Sequence, residues 1–383
     1  MKKSQFAVFI TIVLSVYTLV NYYIYITGLH ALPENFRSVY SLIFLFLYLA
    51  YIIGRFLERK FLNSVSAFFV GIGSFWLGAM VYYLLFVLAA DLLRLLNFIF
   101  GIFPASFFSQ EYNLFFFIGV NTVVILIIIS GYLNAASPVI KKLNIKINKK
   151  AGELRSLRIV AASDIHLGTI INRKRLRKYV DIINSQSPDI ILLPGDVVDE
   201  DIESVIKQNC GEDLRALKAK YGIFAVTGNH EYIGGVEPSI KYLTEHGITE
   251  LRDNTVKIAD SFYVVGREDR ASKGFAGIIR KPLNQLLEGV DRSLPLILMD
   301  HQPVRLEEAE KNGIDLQLSG HTHHGQLWPF NFITQKIYEV SMGYKQKGST
   351  HFYVSCGLGT WGPPIRTGNR PEIVVINLEF LKP

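Results

Sequence analysis

The sequence predicts a multi-pass α-helical membrane domain followed by an α/β domain. Four apolar runs fill the first third of the 383-residue chain, and most are near the roughly 20 residues that span a bilayer as a helix. After Pro138 the pattern changes, and short β-branched runs alternate with amphipathic stretches. Half of all residues are hydrophobic and only 19% are charged, a composition that is also typical of a chain with a membrane portion.

The apolar runs of residues 1–136 are expected to form four transmembrane helices, at about 6–26, 39–57, 65–90 and 114–133. The second run is short unless it extends past Arg55, so a re-entrant or interfacial segment is the alternative there. The first run follows Lys2 and Lys3, which leaves a signal peptide as its alternative. Asp91 and Arg94 lie three residues apart at the end of the third run, where we expect a local ion pair on one helix face.

The distribution of lysine and arginine predicts the orientation. Basic residues precede the first span and follow the second and fourth spans, whereas the opposite side has little beyond Arg37. We therefore expect an integral protein of the cell (inner) membrane with both termini, and so the C-terminal domain, in the cytoplasm.

The net charge of +7 resides mostly in one short segment. Residues 137–158 carry seven basic and one acidic side chain, so 137–156 is interpreted as a basic linker that contacts anionic lipid headgroups. Residues 159–383 carry 26 basic and 28 acidic side chains, so no nucleic-acid binding is expected.

Residues 157–383 are expected to form one α/β domain, long enough to bury a substantial core. Cys210 and Cys356 match no metal-binding spacing and imply no disulfide framework. A helix is predicted at Lys174–Ser185. The predicted strands are Leu157–Ala162, Ile190–Leu193, Gly222–Val226, Phe262–Gly266, Leu294–Met299, Leu316–Leu318, Phe352–Ser355 and Ile373–Leu378.

Five polar motifs follow the ends of predicted strands, and they contain five of the nine histidines. The motifs are Asp164-Ile165-His166, Gly195-Asp196-Val197-Val198-Asp199, Gly228-Asn229-His230-Glu231, Asp300-His301 and Gly320-His321-Thr322-His323. Strand ends on one side of an α/β sheet converge, so these side chains are expected to meet. Carboxylate oxygens mixed with imidazoles suit a pair of Mn-, Fe-, Zn- or Ni-type ions.

Local geometry supports the same interpretation. The Asp-x-His spacing puts both side chains on one side of an extended segment, and His321 and His323 repeat it. Gly195 permits a tight turn before Asp196, and a carboxylate such as that of Asp196 can bridge two cations with its two oxygens.

The ordered motifs resemble the calcineurin-like metallophosphoesterase superfamily, whose pattern is DxH, GDxxD, GNH(D/E), H and GHxH. The resemblance covers residues 157–383. Three flanking stretches are similar to the membrane-associated YkuE/YaeI-type branch: Asp300-His301-Gln302-Pro303, Leu318-Ser319-Gly320-His321-Thr322-His323 and Cys356-Gly357-Leu358-Gly359-Thr360. That branch reads GHTHGGQ, whereas this chain has His324 in place of the first glycine, and we interpret His324 as a surface residue rather than an extra substrate contact.

The resemblance implies a four-layer α/β/β/α sandwich and two divalent metal ions as cofactors. By position, the first ion would be held by Asp164, His166 and His323. The second would be held by Asn229, His301 and His321. Asp196 would bridge the two ions.

The resemblance also assigns roles around the metals. His230 would contact the substrate phosphate and help the leaving group, and Asp199 would orient a ligand histidine. Glu231 stands where many relatives have Asp. Arg366 is interpreted as a substrate contact that grips a phosphate with its planar fork, with a surface salt bridge as the alternative. Trp328 and Trp361 are expected to pack their own loops.

These observations predict a membrane-anchored phosphoesterase that acts on a phosphodiester or pyrophosphate bond, with a lipid-linked phosphate ester as the favoured substrate class. Two cations would clamp the phosphate and activate a water that attacks phosphorus in line, without a covalent phosphoenzyme. Two alternatives remain open: a phosphomonoesterase on a soluble substrate with the spans as anchor only, and a non-catalytic scaffold.

Overall fold

The computed structural model describes residues 3–104, 107 and 109–382, and Lys2, one of the predicted N-terminal charges, lies outside them. The chain divides into two units. The first comprises Met1–Leu133 with Gly362–Ile365, and the second comprises Asn134–Trp361 with Arg366–Pro383.

The first unit is helical, and four helices of the described residues are long and apolar enough to cross a membrane. They are α1 (Lys3–Ala31), α2 (Glu34–Lys60), α3 (Ser64–Phe100) and α4 (Gln110–Ala135). The prediction of four long apolar helices before the α/β domain is confirmed. The second apolar run belongs to a helix of 27 residues, because the helix continues through the polar residues at both ends of the run.

Small and polar residues pack these helices closely. A Cβ on Gly73 of α3 would lie 2.3 Å from the Cα of Tyr51 of α2. The absence of a side chain at Gly73 therefore lets the backbones of α2 and α3 come into close contact. Trp76 Nε1 donates to Asn21 Oδ1 at 2.9 Å, which satisfies two polar groups inside the bundle. The expected ion pair between Asp91 and Arg94 is confirmed, at 2.8 Å.

Within its described residues, the second unit contains two six-stranded mixed sheets. The strands of its described residues are β1 (Val139–Lys150), β2 (Ser156–Ala161), β3 (Ile190–Pro194), β4 (Ile223–Val226), β5 (Thr249–Glu250), β6 (Asn254–Ile258), β7 (Phe262–Gly266), β8 (Leu296–Met299), β9 (Leu316–Ser319), β10 (Gly343–Lys347), β11 (Thr350–Val354) and β12 (Glu372–Leu381). The sheet orders are β1-β12-β2-β3-β4-β5 and β10-β11-β9-β8-β7-β6.

The helices in the described residues of the second unit are α5 (Arg173–Ser185), α6 (Ile202–Lys207), α7 (Gly211–Leu214), α8 (Asn229–Gly234), α9 (Val236–Glu245), α10 (Ser272–Phe275), α11 (Leu283–Leu286), α12 (Leu306–Lys311) and α13 (Asn331–Ile337). Six of them, α5, α6, α7, α9, α11 and α12, contribute buried residues to the cores on the outer faces of the sheets. One core joins α5 to the first sheet, another joins the two sheets, and a third joins the second sheet to α11 and α12. These three cores separate four layers, which confirms the predicted α/β sandwich.

The basic segment after α4 is a strand and not a linker. Val139–Lys150 forms β1, which pairs in parallel with β12 at the edge of the first sheet. Lys149 is half-buried, with its Nζ 2.7 Å from Asp315 Oδ2. Ile145 and Ile147 are buried, while Lys146 between them and Lys141, Lys142 and Lys150 are exposed. This period-two alternation is the mark of a half-buried strand, and the charge of the segment had hidden it.

Candidate metal centre

The motif residues lie in loops and short helical segments that follow strands of the two sheets, with Asn229 and His230 at the start of α8. Asp164 and His166 follow β2, Asp196 follows β3, and the loops are joined by backbone hydrogen bonds. The amide of Asp164 donates to Gly195 O and the amide of His166 donates to Asp196 O, both at 3.0 Å. His301 follows β8 and His321 follows β9, so the carboxyl ends of strands from both sheets contribute.

The backbone at these residues is not extended. Asp164, His166 and Asp196 have φ values of 52°, 53° and 52°, and His321 and His323 have 72° and 44°. The extended geometry inferred for the Asp-x-His spacing is therefore wrong. Non-glycine residues adopt this left-handed region at a cost of order 1–3 kcal/mol each, which is a recurrent property of functional sites.

A first group of donors consists of Asp164, His166 and His323, whose ligand atoms lie within 4.8 Å of one another. The Nε2 atoms of His166 and His323 are 2.9 Å apart, and His323 Nε2 is 3.4 Å from Asp164 Oδ1. All three side chains are buried. The structure thus brings together the three residues assigned to the first ion.

A second group consists of Asp196, His301 and His321, again within 4.8 Å. The side-chain oxygen of Asn229 joins it, at 2.8 Å from His321 Nδ1 and 3.3 Å from His301 Nε2. Asp196 Oδ2 lies 3.1 Å from His301 Nε2 and 3.9 Å from His166 Nε2. Asp196 therefore stands between the two groups.

The donor set fits divalent cations. Imidazole nitrogens and carboxylate and amide oxygens converge in it, as borderline first-row metals prefer. Asp164 Oδ2 is fully buried and has no hydrogen-bond partner, and such an orphaned carboxylate oxygen is costly unless a cation satisfies it. This buried, unpaired oxygen is the local observation that favours a metal site over a packed polar core.

Burial and mutual repulsion keep two of the imidazoles neutral, as metal ligands must be. Burial, followed by the nearby His301, lowers the pKa of His321 to about 3. Burial, followed by His166, holds the pKa of His323 well below its usual value. Burial opposes the charge of His301, but Asp196 raises the pKa of that imidazole well above its usual value. A cation bound here would take the place of the proton on His301.

His230 stands beside the two donor groups and is paired with Asp199. Its Nδ1 lies 2.9 Å from Asp199 Oδ1, and its ring centre is 4.5 Å from that of His166. Burial works to lower the pKa of His230, but the hydrogen bond to Asp199 and the charge of Asp196 raise it to about 9. The imidazole is thus held protonated on the nitrogen that faces Asp199. Asp199 also lies 3.6 Å from His166 Nδ1, so it faces both histidines.

Close approaches explain the motif glycines. Gly195 has φ +85°, and a Cβ there would lie 2.4 Å from His301 Nδ1. A Cβ on Gly320 would lie 2.1 Å from Asp164 Oδ2. Larger residues at either position would displace a candidate ligand.

Glu231 braces the loop that carries Asp196. Its carboxylate accepts backbone N–H donations from Gly228, Asp196 and Val198 at 2.8, 3.2 and 2.9 Å. Burial, followed by the charge of Asp196, raises the pKa of Glu231 to about 7. Glu231 thus supports the ligand loop through its backbone and takes no position among the donors.

The structure contradicts the interpretations of Arg366 and His324 that were made from the sequence. Arg366 is fully buried, and its Nε and Nη2 donate to Gly359 O at 3.0 and 2.6 Å, with Nη2 3.1 Å from His323 Nδ1. It therefore supports the loops around His323 and is neither a surface salt bridge nor an exposed phosphate contact. His324 is buried beside Ser341, with Nδ1 2.9 Å from its hydroxyl, and is not a surface residue.

Trp361 is the residue near this site that sequence reasoning missed. It was expected to pack its own loop, yet its side chain is 54% exposed and its ring centre lies 6.1 Å from that of His230. An exposed indole beside a polar site offers an apolar surface to a bound molecule. Its position directly after the Cys356–Thr360 stretch was the available signal.

Comparison with known proteins agrees with the family resemblance of the five motifs. The model of the family described as calcineurin-like phosphoesterase matches residues 157–325. A Campylobacter jejuni protein named an uncharacterized metallophosphoesterase is 30% identical over 383 residues, covering 98% of this chain and all of that relative. A Helicobacter pylori protein of the same description is 36% identical, covering 64% of this chain, so the chain spans 65% of that relative's length. The uncharacterized metallophosphoesterase YkuE of Bacillus subtilis is 32% identical, covering 58% of this chain and 79% of its own.

Proposed function

Because this chain belongs to the calcineurin-like phosphoesterase family, we propose that it is a membrane-anchored, metal-dependent phosphoesterase. Its substrate would be a phosphodiester or pyrophosphate, most simply one linked to a lipid. One observation carries the proposal: seven candidate metal donors meet in two adjoining groups beside His230, which is paired with Asp199.

Each donor has a proposed role. Asp164, His166 and His323 would hold one divalent ion, and Asn229, His301 and His321 would hold a second. Asp196 would serve both ions, as its position between His301 and His166 supports. Mn, Fe, Zn and Ni all suit this donor set. When bound, the ion pair supplies Lewis acidity toward the phosphoryl oxygens and an activated water nucleophile.

The protein's own contribution centres on His230. Because Asp199 takes the hydrogen bond from Nδ1, Nε2 is the nitrogen available to the substrate. The protonated imidazole neutralises charge on the phosphoryl group and donates a proton to the departing alkoxide, an effect of about 10²–10⁴ in rate. Glu231 and Arg366 hold the loops of Asp196 and His323 in place.

A lipid-linked substrate and a cytoplasmic active site are supported by the first part of the chain. Four helices of the described residues are long and apolar enough to cross a membrane, and β1, which follows α4, exposes Lys141, Lys142 and Lys146. Such lysines favour anionic lipid headgroups, each by about 1 kcal/mol near the surface of the membrane.

Two other features support the compartment and the substrate class. Cys210 and Cys356 are free thiols, which suits a reducing compartment. Trp361 supplies an apolar surface next to His230.

The test uses the purified full chain in detergent, loaded with Mn²⁺, and bis(p-nitrophenyl) phosphate. Asp196→Ala is expected to lower turnover about a thousandfold or more and to reduce the bound metal, because it removes the shared ligand. Asp181→Ala, which removes an exposed carboxylate from α5, is the matched control and should leave both unchanged. Turnover that survives in Asp196→Ala would contradict the proposal.

Two alternatives have distinct signatures. A phosphomonoesterase that uses the helices only as an anchor would cleave p-nitrophenyl phosphate faster than the diester. A non-catalytic scaffold would keep its physiological activity after its metals are removed by a chelator.

A further inference from the structure

A cavity of about 550 Å³ in the second unit has six basic residues among its thirteen lining residues. We call it the cationic cavity; its basic residues are Arg267, Arg270, Lys273, Arg280, Lys281 and Arg305. Glu308 is the acidic residue among the described residues that line it. Lys273 and Lys281 are exposed at its rim.

Two of its arginines are fixed from behind by carboxylates. Arg267 Nη1 donates to Glu308 Oε2 at 3.0 Å and to Asp300 Oδ2 at 3.4 Å. Arg280 pairs with both oxygens of Asp300, with Nη1 3.0 Å from Oδ1. Asp300 behind the cavity and Glu308 in its lining offset part of this charge, but the six basic side chains outnumber the one acidic side chain in the lining.

Unpartnered donors lie in the same place. The Nε atoms of Arg267, Arg270 and Arg280 are buried and have no hydrogen-bond partner, and Arg267 is only 5% exposed. A buried donor without an acceptor destabilises the fold, more so when the group is charged. These three buried donors lie on residues that line the cavity, so they add to the cost of holding several cations together there.

Arg270 shows the uncompensated charge most directly. Its Nη2 donates to the backbone oxygen of Val304 at 3.1 Å. Burial, followed by repulsion from Arg280, lowers the pKa of Arg270. The guanidinium thus pays a charge penalty that an anion in the cavity would remove.

We propose that the cationic cavity binds a phosphate group at a site separate from the metal centre. Planar guanidinium forks match the geometry of phosphate oxygens, and several cations around one pocket favour a doubly charged group over a single carboxylate. The phosphate comes either from a lipid headgroup or from a free phosphate compound, since both present the same oxygens.

The site lies next to the metal centre along the chain. Asp300, which Arg267 and Arg280 hold, immediately precedes His301. Neighbouring side chains at the end of β8 therefore serve the cavity and the metal centre respectively. The proposal does not rest on the proposed function, because the cavity and its orphaned donors are independent of the metal donors.

The test is phosphate binding by calorimetry, with the purified, metal-loaded full chain in detergent. The wild-type chain is expected to show a class of sites that becomes at least about tenfold weaker in Arg270→Gln/Lys273→Gln. Binding of phosphate at the metal centre would persist in that variant, since neither residue touches the metal donors, and diester turnover should stay unchanged. Arg267 and Arg280 are left intact because they pair with Asp300 inside the fold.

Two further variants keep the result interpretable. Arg270→Lys retains the charge but loses the fork, and it should weaken binding less than the double substitution. Arg215→Gln/Lys241→Gln removes two exposed charges elsewhere and should bind as the wild type does. Melting temperatures in detergent verify that each variant is folded.

The two sources of phosphate are separated by a second probe, a short-chain phosphatidic acid. Binding at least about tenfold tighter than that of inorganic phosphate, and lost in the double variant, identifies a lipid headgroup. Equal affinities identify a free phosphate compound. Identical isotherms for the wild type and a folded double variant with both probes would overturn the proposal.

Discussion

Asp199 controls the proton of His230, so Asp199→Asn tests the proposed leaving-group assistance. The carboxylate accepts from His230 Nδ1 at 2.9 Å, and the His230 side chain is only 7% exposed. Asparagine has the same shape and can still accept that hydrogen bond through its oxygen, but it carries no charge. The substitution therefore isolates the electrostatic part of the contact.

The magnitude follows from the pKa. His230 is raised from 6.5 to about 9 by several groups, of which the Asp199 hydrogen bond is the largest favourable one. A hydrogen bond to a charged group contributes about 1.5–3 kcal/mol, and one pKa unit corresponds to about 1.4 kcal/mol. Loss of the charge should lower the pKa of His230 by about 1–2 units, with Asp196 and Glu200 retaining the remainder of the shift.

The pH profile shows this directly. A proton donor is active below its pKa, so kcat/KM falls as pH rises through that value. In Asp199→Asn the alkaline fall should begin about 1–2 pH units earlier. The substrate should be a phosphodiester with an alkyl leaving group, because p-nitrophenolate departs without needing a proton.

Two controls exclude other causes. The metal concentration must be saturating, since Asp199 also faces His166 at 3.6 Å and its loss can weaken metal binding about 10–100-fold. Asp181→Asn removes an exposed carboxylate and should leave the profile unchanged. An alkaline limb that stays at the wild-type position in metal-saturated Asp199→Asn would refute the pairing of Asp199 with a proton-donating His230.

Three further predictions concern metal binding and stability. Gly195→Ala places a Cβ 2.4 Å from His301 Nδ1 at a φ of +85°, so bound metal measured by elemental analysis should fall and metal affinity should weaken about 10–100-fold. Arg366→Met leaves Gly359 O without its buried donors and should lower the unfolding free energy by about 2–4 kcal/mol, seen as a lower melting temperature. Burial, followed by the charge of Glu231, raises the pKa of Glu250 from 4.5 to about 8. Between these two pH values the folded state binds a proton that the unfolded state has released, so the stability of the wild type falls as pH rises from about 4.5 to about 8. Glu250→Gln should therefore be more stable than the wild type above about pH 8, by about 1–3 kcal/mol, and no more stable near pH 4.5.

Each of these has a matched comparison. Gly274→Ala adds a Cβ that meets nothing within 4 Å, and equal metal loss in it and Gly195→Ala would remove the steric argument. Arg305→Met removes an arginine whose side chain is 65% exposed, so an equal loss of stability there would show that burial of Arg366 is irrelevant. Parallel stability curves for the wild type and Glu250→Gln across the pH range would contradict the raised pKa.

Strands and spans with a strong pattern were predictable. The apolar runs could only be buried in lipid or in a core, and their length indicated helices that cross a membrane. Phe262–Gly266 was predicted with its observed bounds, because a run of apolar β-branched and aromatic residues between turns has few other solutions. β1 was missed because its many lysines indicated a solvated linker. Lysines are also common on edge strands, where their charge prevents pairing with another chain.

The candidate site divides in the same way. The order of Asp, Asn and His residues after apolar strands indicated that their side chains would meet, and the structure brings them together. The backbone conformation at Asp164 and His166 was beyond the sequence, because left-handed φ values depend on hydrogen bonds with the next loop. The interpretations of Arg366 and His324 were wrong for a related reason, because the sequence of a loop does not indicate how deeply its side chains are buried by other segments.

Residue types and local periodicity along the chain were enough to specify the chemical groups present, the order in which strands deliver them, and helices that suit a bilayer. Three features follow from the fold and not from the pattern of residues: Asp164 Oδ2 has no hydrogen-bond partner, Arg366 lies behind His323, and six basic residues line one cavity. Burial and spacing of this kind arise from contacts between distant segments, and they set the electrostatics on which both proposals depend.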